Sequence, residues 1–391
     1  MKVSNNYIAY ADALAQSVEY FAGDELAAKV FLDKYGMRDN EQNLVETTPV
    51  DMHHRIAREF ARVERKKFKK PLSEDEIFAY LDRFSKIVPQ GSPMYGIGNT
   101  YQFISLSNCF VVDNPDDSYG GICKIDEELV QISKRRGGVG VDISNFRPSG
   151  AVTHNAARTS TGIIPLMTRY SNSIREVGQN GRRGAEMQSI SIHHPESVKL
   201  LPDGVEPKPI TVNKGTDRMI ETTTEWYDPD NEDFASVKYD VTKITGANIS
   251  IRLSDEFLHA VDKDSNFTQR WPVDSRMPSI TKEISAKKAW NKIVRAAWQM
   301  AEPGLLFWDN IIRESPADCY SEFGFKTIST NPCGEIPLSA YDSCRLLVLN
   351  LFGFVKNPFT KKAYFDYKEF YETVQVAQRL MDNLIDLEIE S

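Results

Sequence analysis

Five residues, Asn331-Pro332-Cys333-Gly334-Glu335, place an amide, a thiol and a carboxylate at i, i+2 and i+4. In an extended segment these three side chains would share a face, because strand side chains alternate. In a loop, Pro332 and Gly334 would instead define a tight backbone path. Such a set can act on a hydroxylated substrate: the amide orients hydroxyls, the carboxylate takes a proton and the sulfur does the bond-breaking step. The competing reading is a loop around a buried structural cysteine, since cysteine is among the most buried residue types. Taken alone, the five residues favour that second reading.

Two further thiols shift the balance. Cys109 lies in Ser105-Leu106-Ser107-Asn108-Cys109-Phe110-Val111-Val112, and Cys344 in Tyr341-Asp342-Ser343-Cys344-Arg345, ahead of the apolar run Leu346 to Leu351. Together with Lys134-Arg135-Arg136-Gly137-Gly138-Val139-Gly140 and Gly181-Arg182-Arg183-Gly184-Ala185, these segments resemble the large catalytic subunit of ribonucleotide reductase. The likeness is closest to the adenosylcobalamin-dependent (class II) branch and runs over nearly the whole chain. It implies that Cys333 becomes a thiyl radical and takes the 3′-hydrogen of a ribose, in a dry cavity where the radical meets only substrate. It implies Glu335 as base at the 3′-hydroxyl, Asn331 as holder of the ribose hydroxyls, and Cys109 with Cys344 as the redox pair. Such a pair supplies two electrons by closing to a disulfide, which needs Cα atoms within about 7 Å.

The same resemblance places Ser92 where relatives carry a small hydroxyl residue near the ribose-phosphate, and makes Asn108 a substrate contact. Gly138 belongs to a glycine run whose backbone amides could meet substrate, with tight strand packing as the alternative. Asp117, Ser118 and Arg147 match positions that contact a deoxynucleoside triphosphate effector; each could equally be a turn residue or a surface charge. Gly246-Ala247-Asn248-Ile249-Ser250 lies where the specificity-coupling loop should end. Cys123 and Cys319 match no role.

The elements that must position these residues can be read in order. At 391 residues, with 41% hydrophobic and 26% charged residues, the chain can bury a large core. A net charge of −8 argues against a general nucleic-acid polymer binder. Five widely spaced cysteines fit neither a secreted disulfide framework nor a zinc ribbon, and point to reduced cytoplasmic thiols. No long uncharged run predicts a membrane span. His53-His54 and His193-His194 lack ligand spacing and read as structural or surface pairs, so no metal is expected.

Residues 1–88 read as a helical domain. Leu26, Ala27, Val30 and Phe31 mark one face, and Thr48-Pro49-Val50-Asp51 and Ser73-Glu74-Asp75-Glu76 are helix starts. Ile56, Phe60 and Val63, and then Ile77, Tyr80, Leu81 and Phe84, supply buried faces. From Pro89 onward strands such as 110–112, 139–143 and 249–253 alternate with helices over 163–177 and 286–300, an α/β pattern with parallel strands. Residues 89–391 are expected to form the first half of a ten-stranded α/β barrel, with the cysteine loop entering its centre. Residues 201–246 are a polar insertion.

Ala377, Leu380, Met381 and Leu384 define a last amphipathic helix, where the family begins its connection to the second half-barrel. The expectation is the N-terminal half of a split or truncated catalytic subunit, partnered by a chain carrying the second half-barrel and dimeric when assembled. The ATP-binding cone that precedes this region in many relatives has no counterpart, so overall control by ATP and dATP is not expected. The resemblance further implies a ribonucleoside di- or triphosphate substrate and an external dithiol reductant such as thioredoxin. Three alternatives remain: a class I subunit served by a separate metal radical-generating subunit, an inactive nucleotide-binding or assembly half, and, last, a cysteine hydrolase.

Overall fold

The structure is a computed structural model that describes residues 8–177, 184–198 and 244–390, and the backbone of 208–211 and 222–225. The chain forms two compact units that do not follow sequence order. The first takes residues 1–109, 135–137 and 343–391; the second takes 110–134 and 138–342.

Helices open the first unit, over Tyr10–Tyr20, Glu25–Lys34, Pro49–Lys67 and Glu74–Leu81. Their starts are marked chemically. The Asp51 carboxylate accepts from the backbone N–H groups of Thr47 and Thr48 at 2.9 and 3.2 Å. Ser73 and Glu76 exchange the reciprocal bonds of a capping box. Ile56, Phe60 and Val63 are buried as their spacing requires. On Glu25–Lys34 the expected face is turned away: Leu26 is 72% exposed and Val30 is exposed, while Ala28, Phe31 and Leu32 are buried. Two apolar stripes share Phe31 on this short helix, and only one can face the core.

His53 is fully buried against the rings of Phe78 and Phe84, and burial, then its neighbours His54 and Arg55, lowers its pKa to about 4. It is a neutral core residue, and His54 stacks on Phe78 with ring centroids 4.0 Å apart. Strand β1 (Ile87–Pro89) and a short helix, Gly91–Gly96, follow.

Strand β2 (Cys109–Val111) leads into the second unit. Strands β3 (Gly138–Asp142) and β4 (Glu186–Ser191) come next. Within the polar stretch 201–246, β5 (Lys208–Thr211) and β6 (Thr222–Glu225) form an antiparallel ribbon. Most of that stretch, like Gly181-Arg182-Arg183, lies outside the described residues. Strand β7 (Asn248–Leu253), the antiparallel pair β8 (Asn266–Trp271) and β9 (Ile280–Ser285), and β10 (Gly304–Phe307) complete the run. The main sheet has the order β10-β7-β4-β3-β2, and β3, β4, β7 and β10 pair in parallel. Helices Tyr119–Ser133 and Ile164–Glu176 connect β2 to β3 and lead from β3 toward β4.

Alternation along these strands sorts the two faces. Val139, Val141, Ile190, Ile249, Ile251 and Leu253 join Met167, Tyr170 and Phe257 in one apolar core. Each such burial contributes roughly 1.5–3 kcal/mol. The opposite face carries Gly138, Gly140 and Asp142 on β3, Ser189 on β4, and Asn248, Ser250 and Arg252 on β7. β3 and β4 are buried along their whole length, as parallel strands covered on both sides are. One acid breaks the apolar side. Burial pushes the Glu186 carboxyl up to about 8, helped by Asp126 and opposed by a 3.0 Å bond from Gln188 Nε2.

Strands β11 (Thr327–Thr330) and β12 (Pro337–Ser339) form an antiparallel hairpin in the second unit. The chain then re-enters the first unit with β13 (Ser343–Cys344), and β14 (Leu347–Leu349) pairs antiparallel with β1. The ribbon β15 (Val355–Lys356) and β16 (Tyr364–Phe365) precedes the helix Tyr367–Glu390. Ala377, Leu380, Leu384 and Leu387 of that helix are buried in the first unit's core. Glu64 is buried too. Burial works to raise its pKa, but Arg379, the Leu72 N–H and Asn383 outweigh it and hold the carboxyl below its ordinary value.

Candidate active site

The Asn331–Glu335 segment is the turn of the β11–β12 hairpin, not an extended run. The Asn331 N–H donates to the Ile336 carbonyl at 3.1 Å, and the Gly334 N–H to the Asn331 carbonyl at 3.0 Å. The Asn331 Oδ1 accepts from the Ile336 N–H at 3.0 Å and locks the loop from inside. Asn, Pro and Gly at the first, second and fourth turn positions are the residues such a turn prefers. Gly334 has φ +84°, which a side chain would disfavour. The turn sends Asn331 and Pro332 inward, both buried, and leaves Cys333 and Glu335 exposed. The shared face of an extended segment is therefore not formed. Among the described residues Cys333 is exposed, so they do not close the dry enclosure expected around the sulfur.

The seat of the turn is a floor of missing side chains. A Cβ on Gly138 would lie 2.9 Å from the Pro332 ring, and one on Gly140 would overlap the Thr330 carbonyl oxygen. The glycine run thus lets the cysteine hairpin lie directly on β3. Asn248, the first residue of β7, donates from Nδ2 to the Pro332 carbonyl at 3.0 Å. A buried polar chain extends the seat. Asp142 Oδ2 accepts from Arg252 Nη1 and from Ser189 Oγ, each at 2.9 Å, and Ser189 Oγ lies 3.2 Å from Ser329 Oγ on β11. The Arg252 guanidinium stacks 3.7 Å from the Trp308 ring centroid.

In the first unit, the segments carrying Cys109 and Cys344 are neighbours. The Asn108 N–H donates to the Cys344 carbonyl at 2.9 Å, and Asn108 Oδ1 accepts from the Leu346 N–H at 2.9 Å. Strand spacing of about 5 Å falls within the Cα separation a disulfide needs. Both cysteines are buried, 8% and 6% exposed. Glu388, near the end of the last helix, accepts from Ser105 Oγ at 2.6 Å, the Leu106 N–H at 3.0 Å and Ser107 Oγ at 2.7 Å, and pairs with Arg345 at 3.3 Å. Ser92 is buried, and its hydroxyl donates to the Arg136 carbonyl at 3.2 Å.

The three effector-matched residues come together in the second unit. Arg147 Nε pairs with Asp117 Oδ2 at 2.5 Å, and the Arg147 N–H donates to Asp117 Oδ1 at 3.2 Å. Ser118 caps the Tyr119–Ser133 helix through its hydroxyl, which accepts from the Gly121 N–H at 3.1 Å.

Comparison with known sequences decides the family. The profile "Ribonucleotide reductase, barrel domain" matches residues 107–390, and "Ribonucleotide reductase, all-alpha domain" matches residues 21–98. The chain belongs to the ribonucleotide reductase large-subunit family. A vitamin B12-dependent ribonucleoside-diphosphate reductase of Thermoplasma acidophilum is 28% identical over 314 residues, 78% of this chain and 35% of the relative. One of Mycobacterium tuberculosis is 26% identical over 366 residues, 92% of this chain and 45% of the relative. A ribonucleoside-diphosphate reductase large chain of Neurospora crassa is 25% identical over 310 residues, 72% of this chain and 29% of the relative. The chain thus spans less than half the length of these ribonucleotide reductases. An α-helical region followed by the family's barrel domain is the architecture expected from the sequence.

Sequence reasoning missed Asp142, Ser189 and Arg252 in this ribonucleotide reductase domain, and Glu388 as well. A signal for Arg252 was present: Asn248-Ile249-Ser250-Ile251-Arg252-Leu253 alternates strictly, so one face of that strand had to be polar. Nothing local marks Glu388.

Proposed function

We propose that this chain carries the radical-bearing part of a ribonucleotide reductase catalytic subunit. It reduces ribonucleotides to 2′-deoxyribonucleotides in company with the remainder of that subunit, whether this follows on the same polypeptide or sits on a partner chain. The observation that carries the reading is Cys333 at the apex of a turn fixed by Asn331, Pro332 and Gly334 and seated on Gly138 and Gly140. A sulfur that must reach a substrate atom needs an exposed tip on a backbone that does not give.

In this reading a radical on Cys333 takes the 3′-hydrogen of the ribose and returns it at the end of the cycle. Glu335 accepts the proton of the 3′-hydroxyl, and Asn331 orients the ribose hydroxyls. Cys109 and Cys344 close to a disulfide, releasing two electrons and two protons; the 2′-carbon gains hydrogen and its hydroxyl leaves as water. An external dithiol such as thioredoxin reopens the disulfide. Ser92 and Asn108 contact the substrate in this reading, while Gly138, covered by Pro332, serves as the seat of the hairpin instead. A deoxynucleoside triphosphate binds at Asp117, Ser118 and Arg147, a site supported by the pairing of Arg147 with Asp117. The assembled subunit acts as a homodimer in the cytoplasm.

The exposed flank of Cys333 fits a radical source that reaches the sulfur from outside the sheet. Adenosylcobalamin, named in the B12-dependent relatives, would supply by homolysis the radical that takes the hydrogen atom from the thiol. Those relatives are named for diphosphates, the substrate class proposed here.

The test joins the chain to the remainder of the subunit and measures deoxyribonucleotide formation from ribonucleoside diphosphates with a dithiol. Product should require adenosylcobalamin. Product only with a separate metalloprotein would reverse the choice of radical source. No product from di- or triphosphates with either source would reject the reductase reading.

A further inference from the structure

We infer that Glu388 is a positioning residue for the Cys109–Cys344 pair, through one carboxylate that ties both cysteine segments together. The inference rests on the redox-pair reading given above and adds the residue that sets how readily the pair closes. Its basis is the distribution of contacts. Oε1 accepts from Ser105 Oγ and the Leu106 N–H; Oε2 accepts from Ser107 Oγ. These donors sit two to four residues before Cys109. Arg345, the residue after Cys344, pairs with Oε2 at 3.3 Å, and Ser107 Oγ lies 3.4 Å from Ser343 Oγ. Four donors from two chain segments therefore converge on a single side chain that is only 20% exposed.

The physical consequence is pre-organisation. Closing a disulfide between two strands fixes their register, and a strand that slips by one residue turns its side chain to the other face. A clamp that already holds the register removes that entropic cost from the closing step. The carboxylate's charge is offset by Arg345, so its work is hydrogen bonding more than a shift of thiol acidity. No other role accounts for the convergence as economically: a helix end docked for stability alone would not need its carboxylate aimed at the two serines beside Cys109.

A second acid on the same helix end provides the control. Glu390 pairs with Arg62 at 2.7 Å and Lys66 at 3.0 Å, away from both cysteine segments. The experiment equilibrates the full chain in a dithiothreitol redox buffer, traps thiols by alkylation, and quantifies the Cys109–Cys344 disulfide by peptide mass. Glu388→Ala should lower the closing equilibrium about tenfold, a shift of about 30 mV for a two-electron couple. Glu388→Gln keeps the Oε1 acceptor for Ser105 Oγ and the Leu106 N–H but loses the Oε2 acceptor and the charge facing Arg345, so closure should fall about threefold, between Glu388→Ala and the unaltered chain. Ser107→Ala, a milder change that does not threaten folding, should lower closure about threefold, and Glu390→Gln should leave it unchanged. The inference is overturned if Glu388→Ala and Ser107→Ala close as readily as the unaltered chain, or if Glu390→Gln falls as far as Glu388→Ala. If the unaltered chain forms no Cys109–Cys344 disulfide under oxidising buffer, the redox-pair reading itself fails.

Discussion

Cys333 is left open on a hairpin turn seated directly on the sheet, whereas Cys109 and Cys344 are closed in, with a side-chain clamp tying the segments that carry them. The Cys333 turn rests on two glycines and is tied by the Asn331, Gly334 and Ile336 N–H groups, the last donating to the Asn331 side-chain oxygen, and by the Asn248 amide. The segments flanking the buried pair are tied together by Glu388, an acid far along the chain, bound to hydroxyls and a guanidinium. Under the proposed function, the difference matches two kinds of task. A sulfur that works on a substrate must stay accessible, so its precision has to come from a scaffold beneath it. Two sulfurs that must find each other need mutual register, which a buried clamp supplies while excluding other partners.

The strongest challenge to this contrast is Gly140→Ala. Its new Cβ would meet a carbonyl oxygen of the hairpin backbone, which cannot rotate away as a side chain could. About 3 kcal/mol or more should be lost in denaturant unfolding, at the upper end of overpacking costs. Gly334→Ala, strained only by its φ of +84°, should cost about 1 kcal/mol. Equal losses would mean that the glycine floor is not the seat.

Arg379→Ala tests the side-chain strategy in the first unit, on the helix that carries Glu388. Removing it strands the buried Glu64 carboxylate and should cost about 3 kcal/mol near neutral pH. Because Glu64 is held below its ordinary value of 4.5, its contribution is present above that pH and fades as pH falls. The difference between Arg379→Ala and the unaltered chain should therefore shrink in acid. Glu186, in the second unit, runs the other way. Its folded pKa of about 8 lies above the unfolded 4.5, so its stabilising share is full below about 4.5 and lost as pH rises toward 8. Glu186→Gln should gain stability relative to the unaltered chain that grows with pH, from under about 1 kcal/mol at pH 5 to about 4 kcal/mol near pH 8. The smallest effects separate the thiols themselves: Cys109→Ser should cost about 1 kcal/mol and the exposed Cys333→Ser under about 0.5 kcal/mol.

What was legible in the sequence was local. The capping residues at Thr48–Asp51 and Ser73–Glu76, the alternating strands and the apolar periodicity of the last helix all act within a few residues, and the structure follows them. The cysteine turn was half legible: Pro332 and Gly334 announced a tight path, but only the closed ring through Asn331 and Ile336 shows which side chains turn in. On the Glu25–Lys34 helix two stripes were equally apolar, and tertiary packing chose between them. The residues missed altogether act at long range. Glu388 reaches Ser105 across 283 positions, and Ser189 reaches Asp142 across 47. No spacing rule connects such pairs, because the fold alone brings them together.

The central claim is that the open sulfur, and not the buried pair, starts the chemistry. The direct test compares Cys333→Ser with Cys109→Ser in the assembled enzyme, given adenosylcobalamin, a dithiol and a ribonucleotide tritiated at the 3′-carbon. Cys333→Ser should bind the deoxynucleotide effector normally yet neither release tritium nor form deoxyribonucleotide, while Cys109→Ser should still release tritium without sustained reduction. Deoxyribonucleotide formation by Cys333→Ser at the rate of the unaltered enzyme, or tritium release matching that of Cys109→Ser, would contradict the account.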